Sequence, residues 1–109
     1  MNDWHRLGKS FAELSKRHPF LEDHARLMRI LVNTLSADPR LEAVEAGISL
    51  STLTLKPRGS VHWVAVATRG TRYTVAIMDA LESAERDMVQ CSAEKVVFTI
   101  LEYLEKLKR

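Results

Sequence analysis

Histidines are the first residues to consider for metal binding or acid–base catalysis, and the chain has four, at positions 5, 18, 24 and 62. Only His18 and His24 lie near each other in sequence, with Glu22 and Asp23 between them. Six residues apart on a helix, these two side chains point to opposite sides, so we predict no metal site. His62 begins a predicted strand on its core-facing side, which favours a hydrogen-bonded or half-exposed structural histidine over a general base.

Cys91, the only cysteine, is the best candidate for a nucleophile. It comes just before a predicted helix, where the helix dipole favours the reactive thiolate. Nucleophilic catalysis also needs a partner base, and the sequence assigns none to Cys91. We therefore predict a structural thiol, and a small hydrolase or transferase using Cys91 or His62 is the enzymatic alternative. A lone cysteine can neither form a disulfide within the chain nor complete a cysteine-based zinc site.

The other patterns typical of catalysis or ligand binding are missing from the sequence. It has no Gly-x-Ser-x-Gly motif, and its four glycines are isolated, so no phosphate-binding loop or dinucleotide fingerprint can be built. Asp79, Glu82, Glu85 and Asp87 form an acidic stretch without the ligand spacing of a calcium loop, which we interpret as a solvated loop. The sequence thus predicts a protein that is not an enzyme and uses no cofactor and no metal.

Two apolar runs within residues 61–79 predict a β-hairpin. Both runs are rich in β-branched and aromatic residues, as strands are, and a glycine at their junction suits a tight turn. We expect the turn at Arg69-Gly70, closed by Thr68 and Thr71, so that the numbers of paired residues sum to 139. This register puts one hydrophobic face on the predicted core.

The opposite face of the hairpin is also largely apolar, although a one-sided antiparallel sheet should turn polar residues to water. We therefore expect something to cover it. Three alternatives stay open: the last helix covers it in a three-layer domain, a second copy of the chain does, or another protein does. The face carries Val61, Trp63, Ala65, Ala67, Thr74, Ala76 and Met78. Our predicted partner-binding residues are Val61, Trp63, Ala65, Ala76 and Met78.

The remaining elements predict one α+β domain spanning residues 1–109, in the order ααβββα. A three-stranded antiparallel meander, with a possible short fourth strand, packs against a C-terminal helix, and helices precede it. Residues 41–46 fit either a short third helix or an extended segment entering the next strand through a Gly47 bulge. Residues 80–87 are expected to form a loop. The other elements are helices from Trp4 to about Leu14, from about Pro19 to Leu35 and from Ser92 to Leu107, a strand Ile48–Leu55 with a bend between Leu50 and Leu53, and the possible edge strand Met88–Cys91.

Composition and charge fit a compact domain. The 109 residues are 46% hydrophobic and 28% charged with a net charge of +2, which excludes disorder and gives no overall basic character. Nucleic-acid binding is the alternative function, using basic residues of the strand turns and of the N-terminal helices. The turn residues are Lys56, Arg58, Arg69 and Arg72. We expect a cytoplasmic protein, because no secretory leader or membrane span is visible, and such compact chains are common among bacterial and phage proteins.

These observations together predict a small module that works by protein–protein contact. It would be an accessory, adaptor, antitoxin-like or immunity-like protein that forms a homodimer through the second apolar sheet face or binds another protein there.

Overall fold

The computed structural model describes residues 3–79 and 84–107. Helices precede and follow an antiparallel sheet in the chain, which confirms the predicted α+β architecture. The sheet, however, has five strands rather than three or four. The strands follow one another as a meander, in the order β1-β2-β3-β4-β5. The elements are α1 (Trp4–Arg17), α2 (Glu22–Ser36), β1 (Val44–Ser49), β2 (Thr52–Pro57), β3 (His62–Arg69), β4 (Arg72–Asp79), β5 (Ala84–Cys91) and α3 (Val96–Leu107).

The two N-terminal helices form where the sequence predicts them. The Asp3 side chain accepts a hydrogen bond from the backbone N–H of Arg6 and so caps α1. A 3-10 turn, Pro19–Leu21, separates α1 from α2 because Pro19 cannot continue the first helix. Phe20 in this turn is 82% exposed.

The predicted strand Ile48–Leu55 is two strands joined by a tight turn, β1 and β2. Leu50 occupies the turn with a φ of 58° and is 97% exposed. The alternation of apolar side chains therefore changes in this segment because the chain makes a turn, and not because one strand bends. A 3-10 turn, Pro39–Leu41, stands in place of the possible third helix. The alternative prediction, an extended segment that enters the strand, is therefore correct, but Gly47 pairs with Thr54 in regular register and forms no bulge.

The central hairpin forms as predicted, but its register differs by two residues. Arg69 pairs with Arg72, so paired numbers sum to 141 and the two loop residues are Gly70 and Thr71. Gly70 has a φ of 62° and is the first loop residue, the position that needs glycine in a type II′ turn. A shift of two leaves every side chain on its predicted face, because side chains alternate along a strand.

The fifth strand extends the sheet beyond the predicted short edge strand. Residues 84–87, expected to be loop, pair with the end of β4, and the register shifts between Ile77 and Met78. The part of the predicted loop at residues 80–83 lies outside the described residues. The last helix begins at Val96 rather than directly after Ser92, and its residues Val96, Ile100 and Leu104 are buried.

All three helices pack on one face of the sheet. Helix α1 contacts β1, α2 contacts β3, and α3 contacts β2, β3 and β4. The core lies between these helices and the side chains of Leu53, Leu55, Val64, Val66, Tyr73 and Val75. Within residues 3–79 and 84–107, no helix covers the other face, so the three-layer alternative is wrong for this part of the chain.

Candidate functional site

The most unusual surface of the molecule is the sheet face that the helices leave uncovered, here called the open face. The pairing places two apolar pairs side by side, Trp63 with Met78 and Ala65 with Ala76, followed by the pair of Ala67 with Thr74. Neighbouring strands add Thr54 beside Ala65, and Met88 and Gln90 beside Ala76 and Thr74. The open face has an apolar centre and a polar and charged margin, and it is defined by Glu45, Gly47, Ser49, Thr52, Thr54, Lys56, Trp63, Ala65, Ala67, Arg69, Arg72, Thr74, Ala76, Met78, Met88 and Gln90.

Burial supports the assignment of these side chains to a separate surface. Ala76 is only 5% exposed, yet it is not part of the buried core cluster. On the open face it lies between Ala65 and Met88. Trp63 and Met78 are half-buried, and Met88 is 49% exposed. The face is therefore an apolar floor with larger side chains around small ones.

Four of the five predicted partner-binding residues lie together on the open face. Trp63, Ala65, Ala76 and Met78 form two adjacent cross-strand pairs. Val61 does not belong to them, since it precedes β3 in a bend and is 58% exposed. The sequence predicts Met88–Cys91 as a possible edge strand, but it does not assign Met88 and Gln90 to this face.

The predicted basic residues form two separate pairs. Arg69 and Arg72 face each other at one end of the β3–β4 hairpin, whereas Lys56 and Arg58 lie at the β2–β3 turn, at the other end of β3. The cross-strand partner of Lys56 is Glu45, which offsets its charge on the open face. These four residues therefore do not make one patch.

His62 lies on the core face beside the carboxylate of Asp79, and a histidine next to a carboxylate is a common arrangement in catalytic sites. Its Nδ1 is 3.7 Å from Asp79 Oδ1, too far for a hydrogen bond. Among the described residues Nδ1 is buried with no hydrogen-bond partner. The Ser60 hydroxyl donates to the backbone carbonyl of His62 and not to its ring. Ser60, His62 and Asp79 thus have the residue types of a catalytic triad without its hydrogen bonds.

Cys91 is buried at the end of β5, opposite Tyr73. The Tyr73 hydroxyl donates to the carbonyl oxygen of Leu27 in α2, at 2.6 Å. Burial raises the pKa of Tyr73, and the neighbouring Cys91 raises it further. A buried thiol in this setting packs the core and offers no approach to a substrate.

Neither a metal site nor a membrane span appears in the described part of the chain. No group of three or more potential ligands comes together there, and no helix there is long and apolar enough to cross a membrane. Comparison with models of known protein families, with curated proteins and with solved structures finds no match.

Proposed function

We propose that this protein functions by protein–protein contact, as a homodimer formed through its open face, and that it is an accessory or adaptor module rather than an enzyme. The observation that carries the proposal is the uncovered apolar surface around Trp63, Ala65, Ala76 and Met78. In an antiparallel sheet with one covered face, the other is normally polar.

The composition of the open face suits a second sheet packed against it. Ala65 and Ala76 at its centre let another surface approach closely, and Trp63 supplies a large aromatic anchor. Thr54, Thr74 and Gln90 surround this centre with hydrogen-bonding groups, which resembles the polar rim of an interface. Two copies related by a two-fold axis would place the two sheets about 10 Å apart.

The size of the face sets the area that a dimer could bury. Five strands spaced about 4.8 Å apart, each six to eight residues long, make a surface of roughly 500 Å². Two copies would then bury about 1,000 Å², near the lower limit for a specific interface. An interface of this size fits a reversible dimer better than an obligate one.

Substitution of Trp63 tests the proposal. Trp63→Ser removes the aromatic anchor, and since Trp63 is outside the helix-covered core, the monomer should stay folded. Phe20→Ser is the matched control, because Phe20 is an 82% exposed aromatic residue beyond the sheet. Light scattering after size exclusion should show less dimer for Trp63→Ser and an unchanged distribution for Phe20→Ser.

A second substitution tests whether another sheet must come close to the centre of the open face, independently of the aromatic anchor Trp63. Ala65→Glu puts a carboxylate at the centre of the open face, where a sheet from another copy would bury it at a cost of several kcal/mol. A protein that remains as dimeric as the wild type with both Trp63→Ser and Ala65→Glu would refute the proposed interface.

Nucleic-acid binding stays the second candidate, with less support. It would require two contacts, one at Arg69 and Arg72 and one at Lys56 and Arg58, because the pairs lie at opposite ends of β3. A raised ratio of absorbance at 260 nm to that at 280 nm in the same chromatography would favour it over the protein-binding proposal.

A further inference from the structure

A groove runs between α1 and α2, on the side of the molecule opposite the open face. Its volume is about 790 Å³. Basic side chains, Lys9, Arg26 and Arg29, line it together with apolar ones, and the residues that line it include no acidic side chain. The groove is therefore both cationic and amphipathic.

The floor of the groove is apolar and open to solvent. Ile30 in α2 is 54% exposed, and Trp4 at the start of α1 is half-buried. Isolated exposed apolar residues are common, but here exposed Ile30 shares one concave surface with half-buried Trp4 and with three basic side chains. A ligand that matches the groove needs an apolar side and negative charge.

Gly8 keeps the middle of the groove open. A Cβ at this position would meet no atom within 4 Å, so packing within the described chain does not require glycine here. A glycine inside a helix costs about 1 kcal/mol relative to alanine. Its missing side chain lets another backbone come close to α1.

Two of the cations are available to a ligand. The guanidinium of Arg26 lies 3.3 Å from the Asp23 carboxylate, which partly neutralises it. Lys9 and Arg29 have no ion pair within residues 3–79 and 84–107. They line the groove from opposite helices, one on α1 and one on α2.

We propose that this groove binds an acidic amphipathic helix of a partner protein. The apolar side of such a helix would cover Ile30 and Trp4, and its carboxylates would meet Lys9 and Arg29. A helix packs against its neighbours at about 8–10 Å between axes, and recognition of one helix in a groove between two is a common binding mode. Nucleic-acid phosphates would match the cations but leave Ile30 uncovered.

The groove and the open face lie on opposite sides of the sheet, so the two proposals are independent. A homodimer formed through the open face would display one groove on each outer layer. Trp63→Ser, which targets only the open face, should leave binding in the groove unchanged. Loss of self-association without loss of groove binding would therefore separate the two proposals.

Fluorescence anisotropy with a designed peptide tests the groove. The probe is a fluorescein-labelled peptide of about 18 residues with leucines at helical spacing i, i+3, i+4 and i+7, a few glutamates beside the leucines to meet Lys9 and Arg29, and alanines elsewhere to support the helix. Arg29→Glu should weaken its binding at least about tenfold, because like charges would then meet across the contact. Lys95→Glu makes the same charge change at an exposed position before α3 and should alter binding less than about twofold.

Gly8→Leu provides a second variant that does not depend on charge. Leucine is a better helix former than glycine and has free space here, so the Tm should stay the same or rise while the filled groove loses the peptide. Absence of binding by the wild type, or equal weakening by Arg29→Glu and Lys95→Glu, would overturn the proposal. So would tighter, Arg29-dependent binding of a DNA duplex of about 20 base pairs, which would assign the groove to nucleic acid.

Discussion

Tyr73→Phe removes the hydrogen bond that ties the sheet to the helical layer. The hydroxyl of Tyr73 in β4 donates to the carbonyl oxygen of Leu27 in α2 at 2.6 Å, and the side chain is 1% exposed. Phenylalanine keeps the ring packing and loses only the hydrogen bond, which contributes about 0.5–1.5 kcal/mol. We expect the free energy of unfolding to fall by about 1 kcal/mol at neutral pH, and the Tm by roughly 4–8 °C.

The same substitution should change the response to alkaline pH. Burial, and then the neighbouring Cys91, raise the pKa of Tyr73 above its ordinary 10.0. A group whose folded pKa is raised stabilises the fold fully below its unfolded pKa, and that stability is lost as the pH rises through the folded pKa. Tyr73→Phe has no such proton to lose, so the advantage of the wild type should shrink above about pH 10.

Urea unfolding of both proteins from about pH 7 to about pH 12 measures this difference. The measurements are made at low protein concentration, so that self-association does not contribute to the free energies of unfolding that are compared. Burial also raises the pKa of Tyr103, but Tyr103 is present in both proteins, so its contribution cancels. Equal stability at pH 7, or a difference that does not change with pH, would refute the reasoning.

Three further predictions concern single positions. His24→Ala should lower the free energy of unfolding by about 1–3 kcal/mol in urea, because the ring lies at hydrogen-bond distance from the Thr68 hydroxyl and the Ser51 carbonyl; an unchanged midpoint would contradict this. Leu50→Asn should raise the Tm slightly, since asparagine tolerates the positive φ of 58° better than leucine does, and a lower Tm would be the opposing result. Buried Cys91 should react with a thiol reagent only after unfolding, and fast labelling of the native protein would be inconsistent with its place in the core.

The sequence predicts the helices and the central hairpin because their signals are local. Apolar residues recur at helical spacing, and Pro19 separates the first two helices. The faces of the hairpin are correct although the register is off by two residues, since Gly70 suits either position of a two-residue loop and a shift of two preserves alternation.

The missed strands lack such local signals. Leu50 in a left-handed conformation looks, in sequence, like the continuation of a strand, so the β1–β2 turn is hidden. At the edge strand β5, side chains on both faces are exposed, including Val89 at 38%, and the usual alternation of apolar and polar residues is weak.

The position of the helices, and with it the open face, depends on tertiary packing. Nothing in the sequence of α3 indicates which side of the sheet it will cover, because an amphipathic helix could pack on either apolar face. The candidate residues Trp63, Ala65, Ala76 and Met78 could therefore be named from the sequence, but not their exposure. The α1–α2 groove likewise requires the two helices to be placed side by side.

The most direct test of the open face as a self-association surface is sedimentation equilibrium of the untagged protein from about 1 to about 500 μM. We predict a mass that rises with concentration from 12.4 kDa toward twice that value, and a Trp63→Ser variant that stays near the mass of one chain. A wild-type mass of 12.4 kDa across the whole range would contradict the proposal.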